Sequence, residues 1–113
     1  MVTIVPGDEF KRQAKRLAKK YRSLKKDLSV LQAELKQNPL LGSDLGNGVR
    51  KVRLEIASKG KGKSGGARII TYQLIRTEIE TRLVLLTIYD KSEISNVRDG
   101  YIRSLIRDAI SNS

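Results

Sequence analysis

With neither histidine nor cysteine in its 113 residues, this chain has no His-based triad or dyad, no disulfide framework and no zinc-finger spacing. A metal site would have to be all-carboxylate, so the chemistry expected is metal-independent and without a cofactor. Proton work then falls to Lys, Tyr, Glu or Asp. Three groupings supply them. Residues 59–66 read Lys59-Gly60-Lys61-Gly62-Lys63-Ser64-Gly65-Gly66, and Ala67-Arg68 follow. A P-loop needs a glycine five residues before Gly62, where Ala57 stands, and it must open a helix, whereas a β-prone run follows here. What remains is a flexible cationic loop that delivers Arg68 at the first turn of a strand. The second grouping, Tyr89-Asp90-Lys91-Ser92-Glu93, closes a later strand. Antiparallel pairing would bring it close to Arg68 and Tyr72. The third is a run of nine cations between Glu9 and Asp27 with no acid among them. Lys11, Lys15 and Lys19 stack like on like at helical spacing, as do Arg12, Arg16 and Lys20. Solvated faces usually interleave both signs because like charges four apart repel. The run therefore points to phosphates or to an acidic partner.

RNA strand cleavage is a reaction these groups could perform. It needs a base for the 2′-hydroxyl, a proton donor for the leaving 5′-oxygen, and cations around the crowded phosphorane. Lys61 or Lys63 is a candidate base, with Glu93 left open as another. Arg68 suits bidentate stabilisation of a phosphate. Tyr72 or Tyr89 could stack on a base. Lys51, Arg53, Lys59, Lys15 and Lys19 are candidate RNA contacts. A phosphate clamp without catalysis would use the same side chains.

The elements that position these residues follow from hydrophobic period. Val2–Val5 is β-prone and closed by Pro6-Gly7. Phe10, Ala14, Leu17, Tyr21, Leu24, Leu28, Leu31 and Leu35 recur at spacings of four and three, a helical stripe that Asn38-Pro39 ends. One helix over 8–36 would be about 43 Å long, against a radius of gyration of about 13 Å for a domain of this length. A break near Arg22-Ser23, with Ser23 as N-cap, gives a helical hairpin instead. A coiled coil ranks second because it needs a partner helix. Residues 40–48 read as a loop. Val49–Ala57 alternates, with Val52, Leu54 and Ile56 on one face and Lys51, Arg53 and Glu55 on the other. Residues 67–76 and 82–89 are apolar on both faces and belong at a sheet's centre. Thr77–Thr81 is the turn between them. Asn96–Ile110 is an amphipathic helix with Val97, Tyr101, Leu105 and Ile106 facing inward. The expectation is a single α+β domain over 1–113: an N-terminal strand, a helical hairpin, three antiparallel strands and a C-terminal helix.

The net charge is +11 and the pI about 10.2, a field that gathers polyanions. Nucleic acid, an acidic protein or both are the expected partners. No apolar run approaches the ~18–20 residues that span a bilayer, and no signal-peptide core follows Met1. A cytoplasmic location without membrane contact is expected. With four Tyr and one Phe, an aromatic platform of the single-strand-binding kind is not expected.

The segment Gly62-Lys63-Ser64-Gly65-Gly66-Ala67-Arg68-Ile69-Ile70, with the later Ile88-Tyr89-Asp90-Lys91-Ser92-Glu93, resembles the HigB-like branch of the RelE/ParE toxin superfamily. Asn38-Pro39-Leu40-Leu41-Gly42 and Gly48-Val49-Arg50-Lys51-Val52-Arg53 are similar too, so the resemblance runs over nearly the whole chain. It implies a RelE-like fold and a type II toxin, a ribosome-dependent mRNA endoribonuclease (mRNA interferase) that inhibits translation. The implied partners are mRNA on the ribosome, ribosomal RNA and an acidic antitoxin that wraps and neutralises the toxin. The family's catalytic basic residues fall here on Lys61, Lys63 and Arg68, and a further one after the last strand falls on Lys91. Many relatives carry a tyrosine shortly beyond that lysine. Here Ile94, Ser95 and Asn96 stand there, with Tyr101 the candidate if the last helix folds back. ParE-like gyrase inhibition is the alternative inside the superfamily, where the catalytic lysines are missing. Non-catalytic nucleic-acid binding is the alternative outside it.

Overall fold

A computed structural model describes residues 1–112. The chain runs β1 (Val2–Pro6), α1 (Asp8–Lys20), α2 (Leu24–Gln37), β2 (Ser43–Gly46), β3 (Val49–Leu54), a 3-10 turn (Ala57–Lys59), β4 (Ala67–Arg76), β5 (Thr81–Asp90) and α3 (Asp99–Ser111). The strands form one sheet in the order β1-β5-β4-β3-β2. β2 to β5 pair antiparallel, and β1 lies parallel to β5 with Val2 opposite Thr81. This is the expected α+β arrangement, with the parallel N-terminal strand as an added edge.

The break at Tyr21–Ser23 is real, and a single ~43 Å rod would have overrun the longest dimension, 38 Å. Ser23 takes the N-cap position but does not cap. Its hydroxyl donates to the Asp27 carboxylate at 2.7 Å and accepts from the Ser58 amide at 2.8 Å. The hydroxyl therefore ties the first turn of α2, through the Asp27 side chain, to the 3-10 turn.

Two cores result, one on each face of the sheet. Phe10, Leu17, Leu24, Leu31 and Leu35 of the hairpin pack against Val52, Leu54, Ile56, Ile69, Leu83, Leu85 and Ile88. Ile102, Leu105 and Ile106 of α3 cover Val49, Ile70, Val84 and Leu86. Burial on both faces explains why β4 and β5 are apolar throughout. Ile102, absent from the expected inward set, is the most buried residue of α3.

Three boundaries differ from expectation. β3 stops at Leu54, and the chain turns through Ala57–Lys59. α3 begins at Asp99 rather than Asn96. Residues 40–48 are not all loop, because Ser43–Gly46 pairs with β3. Asn47 and Gly48 both have positive φ, 54° and 81°, as a two-residue hairpin turn requires. Gly42, with φ +100°, leads into this hairpin, and a Cβ there would lie 2.5 Å from the Lys51 carbonyl oxygen.

Candidate nucleic-acid interface

The register places Arg53, Arg68 and Tyr89 in one row across β3, β4 and β5. Lys51, Ile70 and Thr87 form the next row. Arg53 and Arg68 thus stand directly opposite each other, an arrangement that destabilises a sheet when nothing neutralises it. No carboxylate pairs with either among the described residues. Burial, followed by the Arg53 charge, makes the Arg68 guanidinium a weaker base than a solvated one.

Arg68 is only 4% exposed. Its guanidinium donates to the carbonyls of Lys63 (3.0 Å), Ala67 (3.0 Å) and Ser64 (3.2 Å). It therefore clasps the end of the glycine-rich loop. The loop closes onto the sheet at Gly66, where a Cβ would come within 2.0 Å of the Leu54 carbonyl oxygen. Lys61 and Lys63 are exposed on this loop. Lys63 shares a cleft at the β3 edge with Arg53, Lys26 and Glu34. Lys91 is exposed too, and its amide donates to the Gly66 carbonyl at 3.2 Å. Lys51 reaches from β3 to the Asn96 side-chain oxygen at 2.8 Å. One end of the sheet thus collects Lys51, Arg53, Lys61, Lys63, Arg68 and Lys91.

Other candidates are paired, buried or placed elsewhere. Lys59 is bonded to the Asp90 carboxylate at 2.7 Å, with its side chain 10% exposed. Tyr89 is 3% exposed, and its buried hydroxyl has no partner among the described residues; burial pushes that hydroxyl's pKa up. Tyr72 pairs with Val84 and packs under α3, four residues along the strand from Arg68 rather than at the strand end. Tyr101 sits on the sheet, but its hydroxyl donates to Glu9 at 2.6 Å and meets Thr87 at 3.2 Å. In this arrangement none of the three tyrosines offers a free ring face at the Arg53–Arg68 row. Lys15 and Lys19 are on the outer face of the hairpin, flanking a separate groove.

Sequence reasoning missed what surrounds Asp90. Tyr21 donates to its carboxylate, Lys59 binds it, and the amide and hydroxyl of Ser92 donate to it at 2.9 and 2.7 Å. Burial alone would raise its pKa. The bonds from Lys59, Tyr21 and Ser92 outweigh that and hold it far below the usual carboxylate range. Glu93 accepts both arms of Arg16, at 3.0 and 3.2 Å, and pairs with Lys20. These bonds keep it ionised and turned toward α1. The signal for the Asp90 network was a tyrosine, Tyr21, in a stripe otherwise made of Phe, Leu and Ala.

A family model described as RelE toxin of RelE / RelB toxin-antitoxin system matches residues 9–109. The chain belongs to the RelE toxin family. The match covers every element except β1, and it includes the loop lysines, Arg53, Arg68 and Lys91. A RelE toxin is one half of a type II toxin–antitoxin pair, so an antitoxin is its implied partner. Among the described residues, no helix is long and apolar enough to cross a membrane.

Proposed function

We propose that this RelE toxin is an mRNA endoribonuclease that cuts message on the ribosome in the cytoplasm and so stops translation. The observation that carries the reading is the Arg53–Arg68 pair, two arginines opposite each other on β3 and β4 that form no ion pair among the described residues, beside three exposed lysines. Such a site is electrostatically incomplete without an anion, and a phosphodiester is the anion that RNA supplies. The HigB-like branch is our reading of residues 62–70 within the family.

Cleavage needs no metal in this scheme. The 2′-oxygen attacks the neighbouring phosphorus and the bond to the 5′-oxygen breaks. A 2′,3′-cyclic phosphate and a 5′-hydroxyl result. Lys61 or Lys63 takes the proton from the 2′-hydroxyl, and Lys91 returns one to the departing oxygen. Arg53 and Arg68 oppose the charge that builds on the non-bridging oxygens. Glu93 is a poor alternative base because Arg16 and Lys20 occupy its carboxylate. Arg68 also holds the loop carbonyls, so it positions Lys63 and leaves part of its fork for phosphate.

The test is a cell-free translation reaction with the purified toxin, message 5′ ends being mapped by primer extension. Wild type is compared with Arg68→Ala and with Lys61→Gln/Lys63→Gln. New cuts within translated codons, weakened by about a hundredfold or more in either variant, are the expected result. Intact message and undiminished translation would sink the nuclease reading and make gyrase the next target to assay. Cuts by wild type that persist in both variants would place the chemistry elsewhere.

A further inference from the structure

The cleft between α2 and the end of β3 differs in charge from the cationic row beside it. Lys26, Arg53 and Lys63 bring three cations to its walls, and Asp27, Glu34 and Glu55 bring three carboxylates. In a chain of net charge +11, a balanced cleft next to the Arg53–Arg68 row needs a reason. Asp27 has one already, since its carboxylate accepts from the Ser23 hydroxyl at 2.7 Å and the Ala57 amide at 3.2 Å. Glu34 and Glu55 are exposed and, like the three cations, form no ion pair among the described residues. The floor of the cleft is apolar: Val30, one turn before Glu34 on α2 and 54% exposed, adjoins the buried Leu31 and Leu54.

Free carboxylates beside a phosphate path repel the backbone they border. They suit the part of RNA that donates hydrogen bonds, which is the edge of a base. The amino group of adenine, cytosine or guanine can donate to a carboxylate. Uracil offers one N–H set between two carbonyl oxygens, which a carboxylate repels. An apolar floor suits the flat face of the ring. The cleft holds about 320 Å³, at the small end of ligand sites, and a helix about 10 Å across would not enter it.

We propose that this cleft receives the base beside the scissile phosphate, and that Glu34 and Glu55 select bases bearing an exocyclic amino group against uracil. The proposal rests on the nuclease reading and adds a sequence preference to it. Continuity with the row supports it. Arg53 belongs both to the Arg53–Arg68 pair and to the cleft wall, and Lys63 belongs both to the cationic loop and to the cleft. A phosphate held on the row puts a neighbouring base within reach of Glu34 and Glu55.

The experiment sequences message 5′ ends from the cell-free translation reaction and scores the bases on either side of every cut against their frequency in the translated codons. Wild type is compared with Glu34→Gln/Glu55→Gln, whose amides can donate to the carbonyls of uracil. Circular dichroism and Tm check folding, and Glu34→Gln alone is the fallback should the double variant misfold. The readout is a ratio between sites cut in one reaction, so a loss of stability or of overall rate does not move it. In wild type, uracil is expected to be about tenfold under-represented at one flanking position. In the variant that bias is expected to fall to about twofold or less. Wild-type cuts flanked by uracil at its message frequency overturn the cleft as a base site while the nuclease reading stands. A bias that survives the glutamine substitutions overturns it equally, because selection then lies elsewhere. No cuts by wild type remove the nuclease reading and this proposal with it.

Discussion

Asp90 shows how closely one carboxylate can hold a site together. It is fully buried, and it joins α1 through Tyr21, the 3-10 turn through Lys59, and the chain beyond β5 through Ser92. Removing one partner of a buried ion pair costs about 3–5 kcal/mol because the other charge is stranded. Lys59 keeps slight solvent access, so Asp90→Ala is expected to cost about 3 kcal/mol, lowering Tm by on the order of 10 °C or more. A scanning calorimetry experiment checks this, and an unchanged Tm would mean that the network is incidental. The pH dependence has a definite sign. The folded-state pKa of Asp90 lies below its ordinary value of 3.8, so its contribution is present above about pH 4 and is lost as pH falls toward the folded value. Urea midpoints at pH 7 and pH 3 should therefore differ less in Asp90→Asn than in wild type. Arg68 and the lysine loop were legible in the sequence because they are contiguous. The Tyr21–Asp90 bond was not, because its partners are 69 residues apart and no local pattern joins them.

At the scale of elements, the glycine-rich loop is held at its C-terminal end. Arg68 holds the carbonyls of Lys63 and Ser64, and Gly66 fits against β3 where no side chain has room. Gly66→Ala would have to push the loop off the sheet. It is expected to destabilise the fold by about 2 kcal/mol or more and, by loosening the loop, to speed trypsin cleavage after Lys61 and Lys63. Limited proteolysis with mass-spectrometric mapping reads both effects, and unchanged cleavage at Lys61 and Lys63 would contradict it. Hydrophobic period was a sound guide to α1, α2, β4, β5 and α3 because each buries an unbroken face or stripe. It failed at β2, whose four residues are all exposed and so have no apolar pattern. The Asn47-Gly48 dipeptide was the available signal, since that pair favours a two-residue hairpin turn. The parallel pairing of β1 left no signal, because register between distant strands is set by tertiary packing.

Across the whole molecule, the +11 charge divides into two separate surfaces. One is the sheet end around Arg53 and Arg68, and the other is the hairpin groove. Single-stranded RNA binding should weaken with salt at a log–log slope of about −0.7 for each phosphate neutralised. If Lys61 and Lys63 each hold one, Lys61→Gln/Lys63→Gln should flatten that slope by about 1.4 units. Filter binding of a short RNA across a salt series measures it, and an unchanged slope would take the loop off the RNA path. Composition announced the charge. Only the folded arrangement shows which cations are already matched by Glu9, Asp90 and Glu93.

The parallel strand β1 carries one more consequence. Its partner is β5, so Val2 waits for Thr81 before it has anything to pair with. Contacts this distant in sequence are slow to form, and here they also set an order on biosynthesis. While the ribosome is still making residues 81–90, the sheet lacks the strand on which β1, β4 and both cores converge. A nascent chain that has not yet released residues 81–90 therefore cannot assemble the five-stranded sheet, whatever its earlier elements have formed.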